Sequence, residues 1–128
     1  MNPEDYVSYP LALALKKHGF DWECRDFYWT SDGTFKHTDA PVHKNSEHCT
    51  TMVATPTLWQ AQKWLREVKK WHIIVEPRIW EQQVYDFKLW HYYRGYENAN
   101  RGFDYLSYEA ALSAGIEAAL ELIEKKGE

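Results

Sequence analysis

Leu58, Ala61, Trp64, Leu65 and Val68 recur at steps of three and four, which lines apolar side chains along one face of a helix. Immediately afterwards the period changes. Trp71-His72-Ile73-Ile74-Val75-Glu76 is a run with the β-branched content of a buried strand, closed by Pro77, which has no N–H to give a ladder. Gln83 to Tyr93 then alternates, with Tyr85, Phe87 and Leu89 to one side and Asp86 and Lys88 to the other. A chain that passes from helical spacing to strand spacing within one turn must pack helices on a sheet, so the fold class is α+β.

The rest of the chain extends the pattern. Ser8 is placed to cap a helix over residues 8–18, with Pro10 in its first turn, Leu11 and Leu15 on its inner face and Gly19 as its stop. Arg25 to Thr30 and Thr34 to Thr38 flank Asp32-Gly33, a strong hairpin pattern that directs Phe27 and Trp29 to one side and Tyr28 and Thr30 to the other. Residues 39–51 are polar, without periodicity, and read as a loop; 94–104, with two glycines and two asparagines, read as another. Ser107 caps a last helix whose inner stripe is Leu112, Ile116, Ala119, Leu120 and Ile123. The expected order is α-ββ-α-ββ-α: a single domain over 1–128, a two-layer sandwich whose helices pack on one four-stranded antiparallel sheet.

Composition narrows the function classes. With 45% apolar and 27% charged residues, the chain has enough apolar material to fold, and a formal charge of −4 argues against a generally basic coat protein for nucleic acid. Two cysteines are too few for a disulfide framework, so Cys24 and Cys49 are expected as thiols in a reducing compartment. The acidic start, Glu4-Asp5, lacks the positive charge of a secretory signal, and no stretch approaches the ~20 apolar residues of a membrane span. The expected location is the cytoplasm, away from membranes.

Five residues bear the chemistry of a metal or thiol site. Near His37, the loop residues His43, His48 and Cys49, with Cys24 from the strand edge, could supply the four ligands of a zinc ion. Their spacing fits no finger or knuckle, and a polar surface loop with ordinary histidines accounts for them. His48 beside Cys49 also suggests an activated thiol, but successive side chains of an extended segment diverge. The glycines are isolated, and neither a phosphate-cradling loop nor a Gly-x-Ser-x-Gly elbow is present. The residues therefore read as a chain with no metal, no cofactor and no catalytic motif, acting by binding.

Two surfaces are candidates for that binding. Trp80, Trp90, Tyr92, Tyr93 and Tyr96 gather in the second hairpin and the segment after it, and the alternation turns Trp90 and Tyr92 away from Phe87 and Leu89. Such a ring-rich face suits a protein partner or a second copy of the chain, unless the first helix covers it. Residues 55–94 also carry seven Lys and Arg against four acids. Lys63, Arg66 and Lys70 fall at steps of three and four on the central helix, and with Trp59 they could hold phosphates and stack bases; the alternative is a solvated helix face.

Three segments carry a resemblance: Leu13-Ala14-Leu15-Lys16-Lys17-His18-Gly19-Phe20, Thr55 to Glu67 running into His72-Ile73, and Ser107 to Ile123. In that order they are similar to small uncharacterised proteins of Bacteroidetes genomes and their phages. The resemblance implies an accessory factor of a phage or mobile element and transfers no catalytic residue. The closing helix also resembles the end of HicB-type antitoxins, in which a small sheet precedes a Glu-Ala-Leu-rich helix.

Overall fold

The Ser8 side chain accepts the Leu11 N–H at 3.3 Å and starts helix α1, Tyr9–Lys17, which buries Leu11, Ala12 and Leu15. The computed structural model describes residues 2–37, 44–47, 51–79, 84–97 and 104–127. They form two units, Met1–Thr57 and Leu58–Glu128.

In the first unit, β1 (Asp26–Trp29) lies between β2 (Phe35–His37) and β3 (Met52–Ala54), antiparallel to both. The β1–β2 turn follows the Asp-Gly expectation: the Gly33 N–H donates to the Trp29 carbonyl at 2.8 Å, and Asp32 Oδ1 accepts the Thr34 N–H at 2.9 Å. Gly33 takes φ +74°, a conformation that favours a residue without a β-carbon. Phe27 and Trp29 share a side, their rings 5.0 Å apart, while the Tyr28 hydroxyl donates to the Val7 carbonyl at 2.7 Å. Tyr28 also meets Tyr9 and Phe35 edge-on, so many of the rings in this unit are used on one another.

In the second unit, helix α2 (Leu58–Val68) leads into β4 (Trp71–Ile79), β5 (Val84–His91) and β6 (Gly95–Glu97), an antiparallel sheet in that order, and helix α3 (Tyr108–Lys126) follows. Trp71 pairs with His91, Ile73 with Leu89 and Val75 with Phe87, which sets these on one face; His72–Trp90, Ile74–Lys88 and Glu76–Asp86 fall on the other. Both helices pack on β4, and α3 also on β5. The expected stripe of α3, Leu112, Ile116, Ala119, Leu120 and Ile123, is fully buried. Ser107 Oγ caps this helix by accepting the Ala110 N–H at 3.0 Å, and Gly127, at φ +70°, ends it.

The α+β class holds, but among the described residues the single four-stranded sheet gives way to two sheets of three strands. Each expected hairpin gains a short third strand, β3 in the first unit and β6 in the second, giving the order α-βββ-α-βββ-α. β6 lies in the segment read as a loop from its glycines and asparagines. Three residues are too few to show a period of two, and these strands are fixed by pairing with a neighbour. One further difference is Val68, expected on the inner stripe of α2 but 48% exposed; the buried stripe stops at Leu65, and Val68 is the last residue of the helix. Among the described residues, no helix is long and apolar enough to cross a membrane.

Candidate functional site

The end of α2 is built with an exception to the usual rule for helix stops. Lys70 takes φ +65°, the left-handed conformation that normally goes to glycine. Two contacts fix it there: its carbonyl accepts the Tyr92 N–H at 3.0 Å, and its Nζ donates to the Glu67 carbonyl at 2.9 Å. The helix end is thereby tied to the turn that leaves β5. That turn has a second anchor in His91, which is buried, lies edge-on to Trp71 at 4.8 Å and accepts the Tyr93 N–H on Nδ1 at 3.2 Å. The His91 ring also hydrogen-bonds to the Lys69 backbone. Burial first, and Arg94 second, lower the His91 pKa from its ordinary value, which keeps the ring neutral and its Nδ1 able to accept.

Between these anchors opens a hollow of about 580 Å³ lined by Arg66, Glu67, Lys70, His72, Tyr92 and Tyr93. Its rings stand out from the surface: Tyr92 is 59% exposed and Tyr93 75%, and they meet nearly perpendicular at 4.9 Å. His72 projects from the outer face of β4, edge-on to Trp90 at 5.0 Å. Its pKa is lowered, by burial first and then by the charge of Arg66. The row continues across the sheet, because Trp90 pairs with Tyr96 of β6, which is 70% exposed. On the same outer face Lys88 Nζ meets Glu76 Oε1 at 3.1 Å.

The structure therefore merges the two sequence-derived surfaces in part. Arg66 and Lys70 of the basic stripe share the hollow with Tyr92 and Tyr93 of the ring-rich segment. Lys63 and Trp59 are exposed on α2 and do not line it. Trp90 and Tyr96 lie on the outer face beside the hollow, and Trp80 lies outside the described residues. Sequence reasoning missed His72 and Glu67. The parity of β4 was the available clue, since Trp71 and Ile73 facing inward turn His72 outward, two residues past Lys70.

The first unit holds a different polar centre. Asp26, buried on β1, binds Nδ1 of His37, its cross-strand partner, and the Tyr6 hydroxyl. Cys24 is buried nearby; desolvation first, then the charge of Asp26, push its thiol up to about 12, far from a reactive thiolate. His37 thus belongs to a hydrogen-bonded pair across a hairpin. His43, His48 and Cys49 lie outside the described residues, and among the described ones no three His, Cys, Asp or Glu stand together as metal ligands.

Asn45, in a short 3₁₀ turn over Asn45–Glu47 within the segment read as a loop, is also buried. Its Nδ2 donates to the Phe20 carbonyl at 2.8 Å and its Oδ1 accepts the Ala54 N–H at 2.9 Å, so one side chain ties two stretches of backbone. Compared with the profiles of known families, with curated proteins and with solved structures, the chain matches none.

Proposed function

We propose that the chain is a non-catalytic binding module, an accessory factor that grips an anionic partner at the corner of the second unit where α2 ends and β5 turns toward β6. One observation carries this reading: a guanidinium and an ammonium, Arg66 and Lys70, line the same hollow as two exposed rings. The left-handed backbone of Lys70 adds to it, because strained conformations outside glycine gather at functional sites. The setting proposed with it is a phage or mobile element, as the resemblance of Leu13–Phe20, Thr55–Glu67 with His72-Ile73, and Ser107–Ile123 implies, and the proposed place is the cytoplasm, as the two expected thiols and the acidic start suggest. Retention on immobilised heparin at low salt tests the reading. The wild-type chain is retained and elutes as salt rises, whereas Arg66→Gln/Lys70→Gln flows through; equal elution of the two would remove it.

A second reading, a protein partner or a second copy seated on the outer sheet face, draws on Tyr96, which is 70% exposed beside Trp90. Light scattering at high concentration tests the self-association clause. A strict monomer would remove it, and a dimer broken by Tyr96→Glu would bear it out.

A further inference from the structure

The geometry points to a nucleotide unit of single-stranded nucleic acid as the occupant of this hollow, its phosphate held by Arg66 and Lys70 and its base laid against Tyr92 or Tyr93. The inference rests on the reading that the corner binds an anion, and it names which anion.

The cations alone would accept any anion. Arg66 offers a planar fork of donors and Lys70 a point charge, a pair suited to phosphate but equally to an acidic peptide or a sulfated sugar. The rings make the difference. Tyr92 and Tyr93 both line the hollow, are exposed and stand almost perpendicular, 84° between planes, so their ring surfaces are open to solvent beside the two cations. An exposed aromatic face is of little use to a carboxylate or a sulfate, whereas every nucleobase has a π-face to stack on it.

Three observations favour a strand over an enclosed small molecule. The hollow, about 580 Å³, is larger than one phosphate requires, and it opens to solvent. Rings continue beyond it through Trp90, 6.0 Å from Tyr92, to Tyr96 on the next strand, so a second base has a place to lie. A duplex keeps its bases stacked inside and leaves these rings without a function. Glu67 also lines the hollow and repels phosphate, and the chain as a whole carries −4, so binding is expected to be modest and to weaken steeply with salt.

The test uses the whole chain and fluorescence anisotropy of a labelled oligothymidylate of about a dozen nucleotides at roughly 50 mM salt. Competitors are unlabelled single strand, duplex of the same length, thymidine monophosphate, heparin and polyglutamate. The expected result is competition by the single strand at least about tenfold better than by duplex or polyglutamate. Tyr92→Ala/Tyr93→Ala is expected to lose roughly tenfold or more in affinity with the salt slope unchanged. Arg66→Gln/Lys70→Gln is expected to lower that slope by about 0.7, the share of one phosphate in a single strand. Both pairs are exposed, and circular dichroism checks that the variants keep the fold.

The arms separate the two levels of inference. If neither the oligonucleotide nor heparin nor polyglutamate binds, the anion-binding reading falls and this one with it. If the three polyanions compete alike per charge and the tyrosine variant binds as wild type does, the nucleic-acid assignment alone is overturned. If thymidine monophosphate competes as well as the strand, the strand is overturned.

Discussion

Gly115 of α3 sits so close to Ile73 of β4 that a β-carbon on the glycine would lie 2.5 Å from Ile73 Cγ2 and 3.4 Å from the Phe87 ring. The helix can approach the sheet at this distance only because that position carries no side chain. Gly115→Ala is therefore expected to destabilise the protein by about 1–2 kcal/mol, overpacking strain less the better helix propensity of alanine. In an Ile73→Ala background the same change should cost less, since the obstructing methyl is gone. Urea unfolding of the four chains measures the coupling; equal costs in both backgrounds would contradict the close approach.

Lys70 separates stability from binding. Its left-handed backbone is strained for lysine and suits glycine, so Lys70→Gly is expected to leave stability unchanged or raise it by up to about 1 kcal/mol while anion binding weakens. Chemical denaturation and heparin retention on one preparation read both quantities. A variant that loses stability and binding together would mean the lysine side chain serves the fold.

Asn45→Ala removes both hydrogen bonds of a buried amide, the one given to the Phe20 carbonyl and the one accepted from the Ala54 N–H, and leaves that N–H unsatisfied. The expected loss is about 2–4 kcal/mol. Amide hydrogen exchange locates it: Ala54 should lose protection first, because its N–H is the one set free.

His91 and His72 make the second unit sensitive to acid. Both have pKa values lowered below the ordinary 6.5, with burial the leading cause in each. The unfolded chain therefore takes up protons before the folded one does, and stability contributed by the neutral rings is lost as pH falls from about 6.5 toward the folded pKa values. At His91 protonation also removes the acceptor used by the Tyr93 N–H, so the turn that carries the exposed tyrosines should loosen. Unfolding free energy is expected to fall below about pH 6.5 and to fall less in His91→Gln, whose amide oxygen can still accept. A pH profile identical for the two chains would refute the anchor.

Legibility in the sequence followed the length of each element. The stripe of α3 and the caps at Ser8 and Ser107 were readable because spacing and capping chemistry are local properties. The strands Met52–Ala54 and Gly95–Glu97 were not, because three residues show no period and their pairing depends on neighbours distant in sequence. The candidate site was legible in halves. Arg66 and Lys70 were visible as a helical stripe and Tyr92 and Tyr93 as a ring cluster, but the hydrogen bond from Tyr92 to Lys70 that joins them spans 22 positions and leaves no local pattern. Asn45 reads as one more polar loop residue, since only its burial shows its role.

The carbonyl of Ile73, on the outer margin of the second sheet, accepts a hydrogen bond from Gln62 Nε2 at 3.0 Å. Farther along the same strand Pro77 has no N–H to offer. The longest strand of the unit is thus stopped at two points against templating a neighbour, as natural sheets commonly are. At high concentration this molecule should resist seeding into filaments along that margin, and Gln62→Ala should remove one of the two barriers.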